Sequence, residues 1–325
     1  MKRATQSQTN PYRNSDSNKR YYTYDYYLRK TYGGKCAKVT LDAGFTCPNI
    51  DGVKGTGGCI YCSSRGSGDF APDAALSLPE QYRIQTARIK EKWDTSRFIP
   101  YLQAHTNTYG EIARLRAVYR EALMLPDAVA LHIATRADCL GDEVLSLLRE
   151  VCDVLPLTVE LGLQTVNDEV AAKIGRGHSY LDFVDGYTRL RAYIPKARIA
   201  VHIINGLPGE TRQDMLETAR AVASLAPDEV KIHLLHVLKG TTLAGWYEAG
   251  RYIPMTKEDY VDTVVEQLRL LPPDTVIGRL TGDGNEQDLL APLWSLKKLT
   301  VINDIDKKMA FHRFVQGDLF KMHKK

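Results

Sequence analysis

Short apolar stretches alternate with amphipathic segments along most of this 325-residue chain. The apolar stretches predict strands at residues 37–41, 98–104, 128–136, 157–164, 198–206, 229–238 and 275–282. Between them, apolar residues recur with the period of a helix, for example at Val261, Val264 and Leu268, which follow a predicted N-cap at Thr256. Because several strands are apolar almost throughout, both of their faces should be buried, which favours a parallel sheet connected by helices.

The polar residues within these strands favour a barrel, or part of one, over an open sheet. They lie inside or at the carboxyl ends of different strands: His105, Arg136, Gln164, Asn205, His233 and His236. In a parallel barrel these ends meet around one mouth, where ligands bind. We therefore predict an α/β domain at residues 36–285, preceded by an extension at residues 1–35 and followed by a helical segment at residues 286–325.

Composition and charge predict where the protein is located in the cell and which surface could contact nucleic acid. No segment approaches the roughly 20 apolar residues of a membrane helix, and the amino terminus lacks the apolar core of a signal peptide, so we expect a cytoplasmic protein without membrane contact. The net charge is only +4. Before residue 40, however, nine basic residues accompany only Asp16 and Asp25. Within this region the tyrosine-rich stretch 20–35 could pack against the barrel or contact nucleic acid.

Three of the six cysteines are clustered in the stretch CPNIDGVKGTGGCIYC, as Cys47, Cys59 and Cys62. A structural zinc site takes four ligands, and the fourth is not visible nearby, although Cys36 or a distant histidine could supply it. A 4Fe-4S cluster held by three thiolates instead leaves one iron open to a small molecule. Glycines between the first two cysteines would let the backbone wrap closely around such a cluster. We expect Cys36, Cys139 and Cys152 to be buried as small apolar residues.

The spacing of the three cysteines, with Tyr61 before the last, resembles the cluster loop of radical S-adenosylmethionine (radical SAM) enzymes related to the Elongator catalytic subunit. The similarity extends through roughly residues 22–317 to the bacterial YtqA/YhcC-type branch, on the motifs DAGFTCPN, GSGDF, ATRAD, ELGLQTVNDEVAAKIGRGHS, HIINGLPGET, KIHLLHVLKGTTLA, RLTGDG and APLW. It implies a partial TIM-type barrel of about six β/α units, written (β/α)6.

The resemblance also implies roles for particular residues. Cys47, Cys59 and Cys62 would bind three irons, and S-adenosylmethionine would chelate the fourth. The cofactor would further contact Tyr61, Gln164, Arg176, Gly206 and Gly209, with Gln164 and Arg176 near its carboxylate and the glycines in a turn before a helix capped by Thr211. The family's Gly-Gly-Glu motif for the methionyl amine is replaced by QAHTNTY, so that contact is expected near Thr106 and Asn107.

A member of this family is implicated in converting 5-carboxymethylaminomethyl-uridine, with or without a 2-thio group, to 5-aminomethyl-uridine at the tRNA wobble position through a 5′-deoxyadenosyl radical. The resemblance thus implies tRNA, a reductant such as flavodoxin or ferredoxin, and a downstream tRNA methyltransferase as partners. Two alternatives are a radical SAM enzyme acting on another RNA or a small molecule, and a noncatalytic zinc-binding RNA adaptor. Since the early strands would hold the cofactor, we expect the substrate carboxylate on the late strands, at Lys231, His233 or Arg279.

Overall fold

The computed structural model describes residues 10–63, 65, 66, 71–282, 284 and 286–321. Residues 1–9 of the predicted extension, most of the GSGDF motif and residues 322–325 of the predicted helical segment fall outside the described residues, as does Asp283 of RLTGDG.

A curled parallel sheet forms the centre of the described chain. Its seven strands are β1 (Ala37–Leu41), β2 (Phe98–Leu102), β3 (Leu131–Thr135), β4 (Leu157–Gln164), β5 (Arg198–Asn205), β6 (Glu229–Leu234) and β8 (Val276–Arg279), while β7 (Val237–Leu238) and β9 (Leu289–Ala291) form a small antiparallel pair. The order β1-β2-β3-β4-β5-β6-β8 follows the chain, with every pairing parallel. The prediction of a partial TIM-type barrel is confirmed, with a seventh strand after the six β/α units.

The predicted strand positions agree with the sheet, and β1 and β4 match their predicted bounds. The apolar run 229–238 differs, because it is broken after Leu234 and its last two residues pair with β9 outside the sheet. An apolar run indicates that a segment is buried but not which strand it pairs with, so the sequence pattern predicted β6 and β7 as one strand.

Helices connect and flank these strands. They are α1 (Tyr24–Tyr32), α2 (Leu78–Lys90), α3 (Ile112–Leu123), α4 (Asp142–Val154), α5 (Asp168–Lys173), α6 (Tyr180–Tyr193), α7 (Arg212–Leu225), α8 (Thr242–Glu248), α9 (Lys257–Leu270) and α10 (Lys298–Phe311), with short 3-10 turns at Ala137–Cys139 and Leu293–Leu296. Thr256 caps α9 as predicted, since its side chain accepts a hydrogen bond from the Asp259 backbone N–H. Thr211 caps α7 in the same way. None of the described helices has the length and apolar character needed to cross a membrane.

The tyrosine-rich stretch packs on the barrel. Tyr21 and Leu28 are buried, and the Tyr24 hydroxyl lies 3.4 Å from Nε2 of His132 inside the barrel. Thr23 bridges to Ile277, and the Tyr22 carbonyl accepts a hydrogen bond from the Ile277 backbone N–H, so the segment before α1 extends the sheet beyond β8. Of the two roles considered for this stretch, packing against the barrel is confirmed, and contact with RNA stays a prediction.

Candidate active site at the mouth of the barrel

One cavity, with a volume of about 510 Å³, runs from the cysteine loop into the interior of the barrel. Of the six polar residues expected to converge, five line it: His105, Arg136, Gln164, His233 and His236. Asn205 does not, because its side chain faces the helix layer and exchanges hydrogen bonds of 2.8 Å with Gln267. Two of the lining residues, His105 and Gln164, have φ of 57° and 76°, a region that residues other than glycine rarely adopt and that is common at functional sites.

The cysteine loop brings its three thiols to this cavity. Cys47, Cys59 and Cys62 all line it, and the turn between the last two is closed by a 3.0 Å hydrogen bond from the Cys62 backbone N–H to the Cys59 carbonyl. A hydrogen bond from the Cys62 thiol lowers the pKa of Cys59 to about 5, and the Arg176 guanidinium acts in the same direction. The loop therefore stabilises the Cys59 thiolate, the protonation state that binds metal, while the same hydrogen bond and burial raise the pKa of Cys62.

Gln164 and Arg176 meet above Gly162, at the same mouth. A methyl group on Gly162 would lie 2.8 Å from the Gln164 amide nitrogen and 3.1 Å from an Arg176 terminal nitrogen, so glycine is required for this convergence. Arg176 donates a hydrogen bond to the Gly162 carbonyl, while its Nε and the Gln164 Oε1 are buried without a hydrogen-bond partner among the described residues. Unpartnered buried donors and acceptors of this kind suit a ligand with carboxylate and amine groups.

The deep end of the cavity is organised around Glu160, which is fully buried on β4. Side chains from four other strands bind its carboxylate: Lys38 at 2.5 Å, His132 at 2.6 Å, His202 at 2.9 Å, and Lys231. The two lysines hold the pKa of Glu160 well below its usual range, even though burial opposes this. Since an ionised carboxylate only accepts hydrogen bonds, both histidines donate to it.

Burial lowers the pKa of each of the neighbouring bases. It lowers the pKa of His132 to about 3 and of His202 to about 4, with nearby lysines acting in the same direction. It also lowers the pKa of Lys231 to about 7 and of His233 well below its usual value. The His233 ring stacks on His202 with ring centres 5.1 Å apart, and its Nε2 is buried without a hydrogen-bond partner in the described part of the chain.

The other predicted site residues divide into two groups. Tyr61, Thr106, Lys231, His233 and Arg279 line the cavity. Asn107, Gly206 and Gly209 do not line it. The Asn107 amide instead donates to the backbone carbonyls of neighbouring loops, and the two glycines form the left-handed turn that leads into α7. Their contact with a cofactor stays a prediction.

Sequence reasoning missed the Glu160 cluster, although a signal was present. Leucine and valine alternate along β4 with Thr158, Glu160, Gly162 and Gln164, and single histidines interrupt the apolar pattern of β3 and β5. Alternation by two places such side chains on one face of a strand, here the barrel interior. The expected burial of Cys36 is confirmed, whereas Cys139 and Cys152 are only half-buried.

Comparison with known proteins assigns the family. A model described as "Radical SAM superfamily" matches residues 51–222, more than half of the chain, and one described as "Radical_SAM C-terminal domain" matches residues 227–310. The chain belongs to the radical SAM superfamily. It is 43% identical over 314 residues to YtqA of Bacillus subtilis, covering 97% of each chain, and 36% identical over 291 residues to YhcC of Escherichia coli K12, covering 89% of this chain and 92% of YhcC.

Two more distant similarities cover part of the sequence and most of the fold. A tRNA uridine(34) acetyltransferase of Dehalococcoides mccartyi is 30% identical over 158 residues, which are 48% of this chain and 33% of that protein. A solved structure of Elp3 from Methanocaldococcus infernus superposes with a TM-score of 0.65 at 18% identity, covering 86% of this chain and 64% of that one. The superposition confirms the fold.

The radical SAM protein is therefore an enzyme that uses a 4Fe-4S cluster and S-adenosylmethionine. Three thiols on one loop fit such a cluster, in which each thiolate binds a different iron and the sulfurs need not converge on one point. Accordingly, no three His, Cys, Asp or Glu side chains of the described residues are arranged around a single metal ion. The unpartnered polar atoms of Gln164 and Arg176 at the same mouth fit the amino-acid end of S-adenosylmethionine.

Proposed function

We propose that this radical SAM enzyme modifies tRNA, converting the 5-carboxymethylaminomethyl group of a wobble uridine, with or without a 2-thio group, to an aminomethyl group. In this assignment Cys47, Cys59 and Cys62 hold the cluster, while Gln164 and Arg176 bind the carboxylate of S-adenosylmethionine. When bound, these cofactors supply a radical that removes a hydrogen atom from an unactivated carbon. The protein holds that carbon in place and excludes water.

The observation that carries the proposal is the charge of the cavity. Its described lining contains four lysine and arginine side chains, Arg136, Arg176, Lys231 and Arg279, but only one carboxylate, Glu160. Such an excess favours anionic ligands, since a carboxylate loses its hydration here and needs a cationic partner. One anionic group belongs to S-adenosylmethionine. The carboxymethyl arm of the nucleoside supplies a second.

The cationic residues are not equivalent. Arg136 is paired with Asp138 at 2.9 Å, and Lys231 is paired with Glu160. Arg279 lies beside Lys231 where β6 and β8 pair, and it is half-buried in the wall of the cavity. We assign the grip on the substrate carboxylate first to Arg279, because its guanidinium stays charged and can donate two parallel hydrogen bonds to a carboxylate from a late strand of the cavity wall, with the unpartnered Nε2 of His233 as a second contact. Lys231 contributes its charge while also stabilising Glu160.

Relatives support RNA as the substrate class. The matched region of the D. mccartyi protein belongs to a tRNA uridine(34) acetyltransferase, and the Elp3 structure shares the fold. The basic amino-terminal segment supplies a candidate surface for tRNA phosphates. A one-electron donor such as flavodoxin or ferredoxin would reduce the cluster, and a downstream tRNA methyltransferase would use the exposed aminomethyl group. A cytoplasmic location fits these partners.

The test is anaerobic reconstitution with iron, sulfide, S-adenosylmethionine and dithionite, followed by mass analysis of nucleosides from tRNA carrying the carboxymethylaminomethyl group. We expect this nucleoside to be replaced by the aminomethyl form. A matched tRNA with an unmodified wobble uridine should stay unchanged. Cofactor cleavage without any change in the modified nucleoside would instead favour another RNA or a small molecule as substrate. Colourless protein containing zinc but no iron would favour the adaptor alternative.

A further inference from the structure

Asn49 connects the cysteine loop to the turn that carries Arg176. Its side chain is 2% exposed, and its amide nitrogen lies 2.8 Å from the Gly175 carbonyl oxygen and 2.9 Å from that of Arg176. The same nitrogen lies 3.4 Å from the Cys59 sulfur, a distance suited to a hydrogen bond to sulfur. One amide group therefore contacts both a cluster thiol and the backbone of the proposed carboxylate clamp.

The orientation of this amide follows from its neighbours. Both carbonyls and a thiolate are acceptors, so only the NH2 end of the side chain can face them. With two hydrogens for three acceptors, one N–H is shared. The Asn49 backbone takes part as well, because its carbonyl accepts a 2.9 Å hydrogen bond from the Gly58 N–H. Asn49 is thereby fixed within the cysteine loop.

The facing turn is shaped to receive this side chain. Gly177 has φ of 74°, and a methyl group there would lie 2.4 Å from the Asn49 Oδ1 atom. Two further hydrogen bonds hold the same turn, from the Ile60 N–H to the Ile174 carbonyl at 3.1 Å and from the Arg136 guanidinium to the Arg176 carbonyl at 2.9 Å. The position of Arg176 relative to Cys59 is therefore set across this contact.

We propose that Asn49 is a positioning residue that couples the electron affinity of the cluster to the binding of S-adenosylmethionine. This inference rests on the roles proposed above for Cys59 and Arg176, and it is independent of the tRNA substrate. An N–H donor to a cluster sulfur stabilises the more negative reduced state and raises the reduction potential. By holding the Arg176 turn, the same amide keeps the guanidinium at the cofactor carboxylate.

The experiment replaces Asn49 with Leu, which has similar size and no polar atoms. The midpoint potential of the reconstituted cluster is measured by a redox titration followed by electron paramagnetic resonance, and S-adenosylmethionine affinity by equilibrium binding. We expect a more negative potential and a loss of affinity of about tenfold, the scale of outer-shell substitutions. Asn205→Leu is the matched control, since Asn205 is also a buried asparagine whose side-chain amide forms hydrogen bonds, but it contacts no cysteine. It should change neither quantity.

Gly177→Ala tests the same contact from the other side, and it decides the question if Asn49→Leu does not fold. The added methyl group would displace the Asn49 amide, so both quantities should move in the same directions. Gly33→Ala is its control, because Gly33 has a similar φ of 73° and open space around it. A wild-type potential or a wild-type affinity in the folded variant would overturn the proposal. Loss of iron in Cys59→Ala, with iron retained in Asn49→Leu and Gly177→Ala, would show that the cluster assignment itself is sound.

Discussion

At the residue scale, the three clustered cysteines carry the strongest expectation. Each is one of only three proposed cluster ligands, so replacing Cys47, Cys59 or Cys62 with Ala should abolish the iron-sulfur absorbance and the formation of 5′-deoxyadenosine. Cys36→Ala is the control, because that buried side chain lies in a separate apolar cluster beneath the barrel and should lose only packing energy. A variant lacking all three clustered thiols that still forms 5′-deoxyadenosine would refute the assignment.

Arg279 and Lys231 should differ in how their loss affects the enzyme. Arg279→Met removes the proposed substrate partner, so tRNA conversion should fall by about 3 kcal/mol in transition-state stabilisation, more than a hundredfold. Binding of S-adenosylmethionine should be nearly unchanged. Lys231→Met also removes a partner of buried Glu160 and should lower the free energy of unfolding by about 3 kcal/mol, measured by denaturant titration. Full conversion by Arg279→Met would place the carboxylate elsewhere.

Some of these residues were readable from the sequence and others were not. The cysteine spacing itself pointed to a metal site at the mouth of the barrel, and the family resemblance placed Gln164 and Arg176 beside it. Glu160 depends on four partners from four other strands, and only the register of the sheet brings them together. Asn49 likewise contacts Gly175 across a long stretch of chain.

At the scale of elements, α1 has two faces with different roles. Its inner face packs beneath the barrel, while Arg29 on the outer side is paired with Asp16 at 2.7 Å and with Asp25 at 2.9 Å. Arg20 is 8% exposed. Both arginines are therefore poor candidates for contact with RNA, and the exposed Lys30 is the better one, whereas the Lys35 ammonium lies 4.1 Å from the centre of the Trp93 ring. Charge counted along a sequence does not show which cations already have partners.

Lys30→Glu should consequently weaken tRNA binding. Each lost phosphate contact lowers the slope of log affinity against log salt concentration by about one, so the variant should show a shallower salt dependence in a binding titration. Cofactor cleavage without tRNA should continue at the wild-type rate. Asp25→Asn, which adds no negative charge to the same helix, is the comparison. If Lys30→Glu and the wild type have the same tRNA affinity and the same salt slope, α1 packs against the barrel but does not bind tRNA.

At the scale of the whole molecule, the buried histidines predict how stability responds to acid. His132 and His202 have a folded pKa of about 3 and about 4, below the value of about 6.5 in an unfolded chain. Between these values the unfolded chain binds more protons at these two positions, so their contribution to the free energy of unfolding should decrease as pH falls from about 6.5 toward 4 and should not change above about 7. The contribution of Glu160 lies at lower pH, because its folded pKa is well below usual.

Urea titrations of the cluster-free protein at pH 7.5 and pH 5 measure this effect without interference from cluster loss. His202→Gln keeps an N–H donor for Glu160 but cannot titrate, so its stability should depend less on pH. An identical pH dependence in the variant and the wild type would show that His202 does not contribute.

The two ends of the described chain meet beneath the barrel. The Gln316 side chain accepts a 2.8 Å hydrogen bond from the Tyr22 N–H, 294 residues away, and its amide donates to the carbonyls of Pro272 and Thr275. A ribosome adding about 5 to 20 residues per second needs roughly 15 to 60 seconds to span that separation. Until β8 has been synthesised the segment before α1 has no partner strand, and until Gln316 follows, its hydrogen bonds at the base of the barrel are missing. The nascent chain must therefore keep this edge from pairing with other chains during synthesis, and the barrel is closed only when its last segment arrives.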